Sequence, residues 1–327
     1  MALTTEGTMI SHEKYARSPV PPLLRRGLKI VHFRLFASLA QTGQISAAAD
    51  ALAISQPAAS RLAAEIERIT GAELYQRTSH GIVLTGAGKA FARRAKRMLL
   101  EVEETERELD EILAGESGVV NIGAVTGAAV EHVLPSVRQG RLDFPRVMLN
   151  IEVGTSDVLG DALVEGNLDF ILARLPKQYD PRLFNARFVG PEPISLIVRR
   201  GHPLLRKPEA ATERLAEFDW VMPLEGALLR TTVETALVAK GMPLPAKVLN
   251  TSSFLLTIVT VAQTNAIAPV ATSVARFFRS KSVSDHAIEE LPVDLALEVE
   301  PYALITMKDR APTPAAQAIY ELVASAL

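Results

Sequence analysis

The sequence predicts a helix-rich N-terminal domain, one long connecting helix and a larger C-terminal domain of the α/β class. Three observations lead to this prediction. Apolar residues recur at helical spacing through much of the first hundred positions, residues 88–115 continue as a single helix, and strands alternate with helices from Ser117 onward. We expect a flexible extension at 1–27, a first domain at 28–87, the connecting helix at 88–115 and a second domain at 116–327.

Composition excludes several classes of protein. The chain is 48% apolar and 22% charged, without an apolar run near the roughly 18 residues that a membrane span requires. It has no cysteine, which excludes disulfides and thiolate metal sites and fits a reducing cytoplasm. The first 27 residues lack the charged start, apolar stretch and cleavage site of a secretory signal. We therefore expect a soluble, cytoplasmic protein with no membrane partner.

Charge is distributed unevenly along the chain. Residues 1–97 carry 14 Lys and Arg against 6 Asp and Glu, whereas residues 98–115 carry one Arg against seven acids. A basic N-terminal third is expected of a module that docks on phosphate, because lysine and arginine release condensed counterions from DNA. A surplus of solvated surface charge would explain the same numbers, so charge alone does not decide between the two interpretations.

Three helices are predicted at the start of the first domain. Ile30–Gln41 places an apolar face at helical spacing. Ser46 is placed to cap a short alanine-rich helix, Ala47–Leu52, whose small side chains allow another helix to cross closely. Ser55 then caps a third helix that has Pro57 in its first turn, where a missing N–H costs little. The short turn between the last two helices predicts a helix-turn-helix.

The third helix separates a buried stripe from a polar face. The predicted buried residues are Ala59, Leu62, Ile66 and Ile69. Gln56, Ser60 and Arg61 are left pointing outward. Gln and Arg can each make two hydrogen bonds to base edges in the major groove, and a helix-turn-helix uses the start of its second helix for this contact. An ordinary exposed helix face is the alternative, and only the larger pattern argues against it.

A short hairpin and a long helix follow. Two strands, Leu74-Tyr75 and Ile82–Leu84, are predicted on either side of a polar tip at 78–81, and Thr85 caps the long helix. Apolar residues recur along this helix at alternating four- and three-residue spacing: Phe91, Ala95, Met98, Val102, Leu109 and Ile112. Such a stripe favours pairing with the same helix of a second subunit, and packing on its own domain is the alternative.

These elements share one ordered pattern of residues. The pattern consists of Gly43, Ser46 to Ala49, Leu52, Ile54 to Ala58, Ser60, Arg61, Ile66, Glu67, Gly71, Leu74, Arg77, Gly81, Leu84, Thr85 and Gly88. It resembles the DNA-binding signature of LysR-type transcriptional regulators, which implies a winged helix-turn-helix that binds double-stranded DNA. The resemblance implies contacts to DNA from Ser46, Ser55, Gln56, Pro57, Ser60, Arg61, Arg77 and His80.

The sequence departs from that family's pattern at several positions. Four positions where many members have a polar or basic residue hold Ala47, Ala63, Ala64 and Glu65. His80 stands where the wing often has arginine. We therefore expect some phosphate contacts to be missing. Arg77 either contacts DNA or braces the hairpin, and both interpretations stay open.

The second domain has the pattern of an α/β fold with a mainly parallel sheet. Its first predicted strands are Val119–Val125, Val147–Val153 and Leu168–Leu172. Helices begin just after the first two strands, at Thr126 and at Thr155-Ser156. Hydroxyls and free N–H groups at such helix starts favour an anion-binding cleft at the carboxyl ends of the strands, although simple capping is the alternative.

A second unit interrupts this domain. Its predicted elements are strands at Ile194–Val198 and Trp220–Met222 and helices near Leu228–Lys240 and Ser253–Gln263. The chain then returns through Val274–Phe278 and the strand Tyr302–Thr306 to a last helix near Thr313–Ala326. We expect lobe I at 118–190 and 270–327 and lobe II at 191–269. Two lobes crossed twice by the chain would enclose a cleft that closes by hinging.

This layout resembles the periplasmic-binding-protein-like sensor domain of the LysR family. The matching motif is Ser156, Leu159, Leu163, Gly166, Leu168 and Asp169. The resemblance implies that a small-molecule effector contacts Thr126, Thr155, Ser156, Arg174, Pro223, Glu225 and Ile267. Family effectors are often small metabolites such as aromatic acids, amino acids or sugar derivatives, and the sequence does not choose among them.

Two charged residues bear on the charge of that effector. Arg174 either pairs with a carboxylate of the effector through two hydrogen bonds or is a surface arginine. Glu225 would disfavour a highly anionic ligand unless it pairs with Arg230 or binds a hydroxyl.

Enzymes and secreted solute-binding proteins are the other classes considered. The sequence contains no Gly-x-Ser-x-Gly elbow, no Walker loop and no His-Glu-x-x-His motif. Its six histidines are scattered without metal-ligand spacing, and His132 beside Glu131 favours a pair on a helix surface. We expect no enzymatic activity, cofactor or metal. A solute-binding or enzymatic α/β domain with an incidental helix-turn-helix is the alternative.

The expected mechanism is allosteric. A dimer or tetramer joined through the helix Gly88–Leu113 and the sensor domains would place paired recognition helices on a two-fold-related site. The resemblance implies that closure of the lobes changes DNA bending and recruitment of RNA polymerase.

Overall fold

The computed structural model describes residues 21–79, 81–114, 117–207, 211–279 and 287–327. They form two compact units that divide between Thr105 and Glu106, inside the long helix and before the expected boundary at 115. No described helix is long and apolar enough to cross a membrane. His80 and residues 1–20 of the expected extension lie outside the described residues.

The N-terminal unit has the predicted helices and a hairpin, whose strands extend into the predicted polar tip because Thr78 pairs with Gly81. Its elements are α1 (Pro22–Arg25), α2 (Ile30–Thr42), α3 (Ile45–Ala51), α4 (Gln56–Thr70), β1 (Tyr75–Thr78), β2 (Gly81–Leu84) and the long helix α5 (Gly86–Ala114). The short helix α1 was not predicted. Just after it, Arg26 Nη1 donates a hydrogen bond to the Ile69 carbonyl at 3.4 Å, so the segment 21–27 of the expected extension contains a helix and contacts α4.

The predicted cap of α3 is wrong. Gly43 adopts a left-handed φ of 64° and ends α2, and the next residue, Gln44, is extended and serves as the N-cap of α3. Ser46 therefore lies inside the first turn of α3, where its exposed side chain makes no cap hydrogen bond. The left-handed glycine turns the chain early enough for the helix to begin at Ile45.

Small residues hold the core of this unit together. Helix α4 buries Ala63 completely, whereas Leu62, predicted in the buried stripe, is only partly buried. Ala59 and Ala63 share the core with Ala48 and Ala49 of α3, because methyl side chains let helices cross closely. The alanine at 63 is thus a packing residue and not a lost phosphate contact.

The start of β2 in the hairpin contacts the residue that ends α2. Ile82 N donates to the Gly43 carbonyl at 2.8 Å, and Gly81 has a φ of 133° and lies so close to that carbonyl that a side chain would collide with it. Thr85 caps α5 as predicted, since its Oγ1 accepts from Gly88 N at 3.0 Å. The contacts of Gly81 and Ile82 with Gly43 hold the wing against the end of α2.

The C-terminal unit contains nine strands and seven α-helices among the residues that the structure describes. The strands are β3 (Gly118–Ala124), β4 (Val147–Val153), β5 (Phe170–Ala173), β6 (Phe184–Arg199), β7 (Trp220–Met222), β8 (Val248–Asn250), β9 (Ala268–Ala271), β10 (Ile288–Leu291) and β11 (Glu298–Met307). The helices are α6 (Thr126–Ala128), α7 (Leu134–Asp143), α8 (Ser156–Glu165), α9 (Leu228–Ala239), α10 (Phe254–Gln263), α11 (Thr272–Arg279) and α12 (Pro314–Ser325). A π-helical turn, Ala129–Val133, joins α6 to α7.

The main sheet is mixed, not mainly parallel as predicted. Its strand order is β10-β6-β11-β5-β3-β4, with β9 also paired to β6. Only the β3 pairs with β4 and β5 are parallel, whereas β11 runs antiparallel to both β5 and β6. The two strands that cross between the lobes are β6 and β11, and they run in opposite directions because one leaves lobe I and the other returns to it.

The return to lobe I occurs later in the chain than position 270. Strands β9 and β10 both pair with the second half of β6, so β9, β10 and the intervening helix α11 belong to the core of lobe II. The chain re-enters lobe I only within β11, where Val299 packs in the core of lobe II and Tyr302 in that of lobe I. The predicted boundary failed because residues 270–297 carry no pattern that says which sheet they join.

Candidate functional site

The start of α4 presents polar side chains to solvent. Ser55 is its N-cap, and its Oγ accepts a hydrogen bond from Ala58 N at 3.4 Å, as predicted. Gln56, Pro57 and Arg61 are exposed, and Ser60 is half-buried. In the part of the chain that the structure describes, Arg61 makes no ion pair, so its guanidinium is available to a partner.

A groove joins this helix start to the hairpin. Its volume is about 360 Å³, and it is lined by Gln44, Ile45, Ser46, Gln56, Arg77, Thr78, Gly81 and Ile82. Three of the residues predicted to contact DNA, Ser46, Gln56 and Arg77, are thus brought together on one surface. Arg77 is exposed there, which favours the contact interpretation over bracing of the hairpin.

Glu65, one of the departures from the family pattern, has a structural partner. His32 of α2 is buried; its Nδ1 accepts from Lys29 N at 3.0 Å, and its Nε2 lies 3.6 Å from Glu65 Oε2. Glu65 also lies 3.8 Å from Arg68. The acid therefore links α4 to the start of α2. No sequence pattern indicates this pair, because the two residues are far apart in the chain.

The predicted stripe of α5 divides into a buried and an exposed part. Phe91 packs between Phe33 and Phe36, with ring centroids 5.8 and 5.1 Å away. Three further members are about half exposed: Met98, Val102 and Leu109. The side chain of Ile112 lies outside the described residues. Packing within the domain thus accounts for the first half of the stripe only.

The end of α5 is clamped to lobe I by a polar cluster. Arg107 Nη2 donates to the Val119 carbonyl at 2.6 Å, and its guanidinium lies 3.4 Å from the Asp169 carboxylate. Asp169 also accepts a hydrogen bond from Asn121 N at 2.7 Å. The motif residue Asp169 therefore joins the long helix to two neighbouring strands, a role that the sequence did not indicate.

Hydroxyl groups lie at the carboxyl ends of β3 and β4, as predicted. Thr126 is half-buried at the start of α6, and Thr155 is exposed as the N-cap of α8. Ser156 Oγ accepts a hydrogen bond from the backbone N of Arg174 at 3.1 Å. The serine thus holds the end of β5 in place. It does not cap α8, because the N-cap is Thr155, whose side chain makes no cap hydrogen bond either.

Arg174 already has a carboxylate partner. Its Nη2 donates to Glu192 Oε2 at 2.6 Å, and its Nε donates to the Glu300 carbonyl at 2.9 Å. Both side chains of the ion pair are only 12% exposed. Arg174 is therefore not the surface arginine of the one interpretation, and Glu192 already occupies the position that the other interpretation gives to an effector carboxylate. The contact of Arg174 with an effector stays a prediction. The sequence missed Glu192, which no motif marks.

The predicted effector contacts in lobe II differ in how exposed they are. Pro223 is half-buried and Glu225 is exposed, both just after β7. Ile267 is wrong as an effector contact, because its side chain is completely buried and its N and O bond to Asp219 O and Val221 N.

Arg230 does not pair with Glu225, the partner suggested for it. It donates instead to Glu234 Oε1 at 2.7 Å and to Asn250 Oδ1 at 2.8 Å. The positive charge nearest to the lobe II contacts is therefore engaged within its own lobe.

His132 is a core residue and not part of a surface pair. It lies buried in the π-helical turn, with Nδ1 3.2 Å from the Ala326 carbonyl and Nε2 2.7 Å from the Tyr302 hydroxyl. Burial raises the pKa of Tyr302, and the nearby carboxylates Glu131 and Glu192 raise it further. The tyrosine therefore stays neutral and can donate to the imidazole.

No metal centre emerges from these residues. Across the described ranges, no three His, Asp or Glu side chains converge in a way that would hold a metal ion.

The fold and its two sites define a DNA-binding regulator with a ligand-binding domain. The family model for the bacterial regulatory helix-turn-helix protein of the lysR family matches residues 30–89, and the model for the LysR substrate binding domain matches 113–327. The chain therefore belongs to the LysR family of transcriptional regulators. It combines a DNA-binding helix-turn-helix with a substrate-binding domain, and the helix-turn-helix is not incidental.

Relatives of similar length support this assignment. The chain is 43% identical over 248 residues to the transcriptional regulator GbpR of Rhizobium radiobacter, covering 75% of this chain and 82% of that one. It is 33% identical over 303 residues to GbpR of Azospirillum brasilense, covering 92% and 87%. Full-length CbnR in complex with its target DNA has a TM-score of 0.60 at 20% identity, covering 92% of this chain and 100% of that chain, and shows the shared fold.

Proposed function

We propose that the start of α4 reads base edges in the major groove through Gln56, Ser60 and Arg61. The observation that carries this proposal is the shared groove of about 360 Å³, which places Gln56 beside Arg77 of the wing. Gln and Arg offer the paired donors and acceptors that base edges require, and a wing arginine suits a phosphate or the minor groove. Ser46 lines the same groove, and Ser55 and Pro57 flank Gln56 in the chain. Contacts from these three residues to the sugar-phosphate backbone of the DNA position the helix.

The second half of the proposal concerns the cleft between the lobes. A small-molecule effector binds there against Thr126 and Thr155 of lobe I and Pro223 and Glu225 of lobe II. Support comes from the separate hydrophobic cores of the two lobes, between which the chain crosses in β6 and β11, because such a connection permits hinge closure. Ser156 and Arg174 also shape this cleft, but both already make hydrogen bonds within the chain.

Assembly follows from the long helix. The protein forms a dimer or tetramer through the exposed apolar residues of α5 and through the sensor domains, supported by the half-exposed Met98, Val102 and Leu109. Two recognition helices then meet a two-fold-related promoter site in the cytoplasm, and effector closure changes the recruitment of RNA polymerase. The role is regulatory and not enzymatic, since the curated relatives are named as transcriptional regulators.

The DNA-reading assignment is tested with Arg61→Ala. The target is the site that the wild-type protein enriches from a random-sequence DNA pool, and binding is measured by fluorescence anisotropy at fixed salt. We expect a loss of about 1–3 kcal/mol in binding free energy, because a base contact is removed.

Arg68→Ala is the matched control, since Arg68 is 70% exposed at the opposite end of α4. It should bind the selected site like the wild type. If the Arg61 and Arg68 variants bound that site with equal affinity, Arg61 would not contact base edges in the major groove.

The effector assignment is tested by a thermal-shift screen of small metabolites, because a ligand that binds the folded state raises its stability. A compound that binds in the cleft should stabilise the wild type and lose this effect in Thr126→Ala, while DNA binding is retained. Stabilisation that survives Thr126→Ala, Thr155→Ala and Glu225→Gln together would place the effector elsewhere.

A further inference from the structure

The positive charge of the cleft is already neutralised by the chain itself. Arg174, at the end of β5, is the cation that the predicted effector contacts include, and Glu192 takes it at 2.6 Å. Both side chains are 12% exposed, so the pair is largely removed from water. Charge-assisted hydrogen bonds of this length are strong, and an incoming carboxylate would have to displace Glu192 to reach the guanidinium.

The carboxylate of Glu192 is held in place on its other side. Its Oε1 lies against Gly127, and a side chain at position 127 would collide with it and with Ala271 of lobe II. Arg174 is anchored as well, because its Nε donates to the Glu300 carbonyl. The pair therefore bridges β5 of lobe I to both crossing strands, and neither partner can swing away without breaking further contacts.

The opposite lobe supplies no replacement cation. Arg230, nearest in sequence to Pro223 and Glu225, is 14% exposed and bonds to Glu234 and Asn250. Glu225 adds a negative charge on the exposed loop after β7. Among the described residues that are predicted to contact the effector, no unpaired cation is left to neutralise an anionic ligand.

Resting on the effector cleft proposed above, we propose that this site takes an uncharged polar ligand and that Glu192 is the residue that excludes carboxylates. A carboxylate bound between closed lobes would leave one uncompensated negative charge out of water, which is strongly unfavourable. An uncharged ligand meets the hydroxyl of Thr126 and the carboxylate and guanidinium edges of the pair as hydrogen-bond partners, without a net charge.

The experiment uses Glu192→Gln in the full-length protein. The amide keeps the shape and an acceptor oxygen but removes the charge, so Arg174 gains an unneutralised positive charge. The probe is sodium acetate, titrated by calorimetry at constant ionic strength. We expect Glu192→Gln to bind acetate about tenfold or more tightly than the wild type does.

Two further variants make the result specific. Glu298→Gln removes the same charge from an exposed position on β11 and should behave like the wild type. The double variant Arg174→Met with Glu192→Gln should lose the gained affinity, and a thermal unfolding curve for each variant establishes that it is folded. The proposal is overturned if the wild type binds acetate as tightly as Glu192→Gln, or if Glu192→Gln gains no affinity.

The metabolite screen distinguishes a failure of the proposal on Glu192 from a failure of the effector cleft proposed above. A stabilising compound that is uncharged at pH 7 and fails to stabilise Thr126→Ala supports both. A carboxylate that stabilises the wild type through Thr126 overturns the exclusion by Glu192 and keeps the cleft. Stabilisation that no cleft variant changes overturns the cleft assignment. The acetate titration still decides whether Glu192 keeps acetate from binding to Arg174.

Discussion

The proposed DNA-reading end of the N-terminal unit and the proposed cleft of the C-terminal unit use arginine in opposite ways. Arg61 and Arg77 are exposed and make no ion pair with any other described residue, whereas Arg174 is 12% exposed and bonds to Glu192 and Glu300. An interface for a polyanion keeps its cations free, because the partner supplies the negative charge. A cleft that pairs its own cation has fixed its charge before any ligand arrives.

This difference predicts that side chains of the two regions affect different properties. Removing a free side chain at the DNA face should weaken binding and spare stability, whereas removing a partner in the cleft should cost stability first.

The largest expected effect on stability is that of Arg174→Met. Glu192 would then remain buried without a partner, and breaking a buried pair in this way costs about 3 kcal/mol or more of unfolding free energy. Urea unfolding of the C-terminal unit, followed by the fluorescence of the buried Trp220, measures it.

The double variant Arg174→Met with Glu192→Met is the control, because it removes both charges and should recover most of the loss. A single variant as stable as the wild type would mean that the pair is solvated and that the contrast between the two regions is false.

A smaller loss is expected from Arg107→Met. The substitution keeps the length of the side chain but removes the bonds to Val119 and Asp169, while Asp169 retains the hydrogen bond from Asn121. We expect a loss of about 1–2 kcal/mol in the same urea experiment. Arg138→Met, which replaces an exposed arginine of α7, is the comparison and should change stability little. Equal unfolding free energies for the two variants would mean that Arg107 does not stabilise the contact between α5 and lobe I.

Acid should destabilise lobe II through His202. This side chain is fully buried, accepts from Leu204 N and bonds to the Asn265 carbonyl, and its burial lowers the pKa of the imidazole. The unfolded chain therefore binds a proton more readily than the folded one, so stability falls as the pH drops below about 6.5 toward the lowered value.

Urea unfolding between pH 7 and pH 5 measures this slope. His202→Asn removes the titrating group while keeping an acceptor for Leu204 N, so the variant should show a flatter dependence in this range. An unchanged slope would assign the acid sensitivity to other groups.

The smallest effect on stability is expected for Gln56→Ala. The side chain is exposed at the first position of α4, so the unfolding free energy should change by less than about 0.5 kcal/mol. Its affinity for the selected DNA should nevertheless fall, as measured by anisotropy. A stability loss comparable to that of Arg174→Met would show that Gln56 supports the fold and erase the distinction.

The two regions also differ in how far sequence reasoning could reach. The cap at Ser55, the exposed Gln56 and Arg61 and the hairpin were predictable, because each depends on residues a few positions apart. Strand Val147–Val153 was predicted with its correct bounds from its run of apolar residues. Local spacing carries this information directly.

The contacts in the cleft were harder to predict, because they join segments that are far apart in the sequence. Arg174 and the Glu300 carbonyl are 126 residues apart, and His132 and Tyr302 are 170 apart. Ile267 was assigned to the cleft by the resemblance to the sensor domain, but the packing of lobe II determines that its side chain faces inward. Partners of this kind follow from the sheet pairing, which no periodicity specifies.

The irregular pairing of β6 with β11 has a mechanical consequence. The register between these strands shifts on either side of Tyr302, close to the point where the chain passes from one core to the other. A ribbon of two strands resists stretching but bends across its face, and a bulge interrupts the ladder and concentrates that bending at one place. The lobes should therefore rotate about an axis near Tyr302, and stiffness at this single joint would set how far a ligand can swing one lobe against the other.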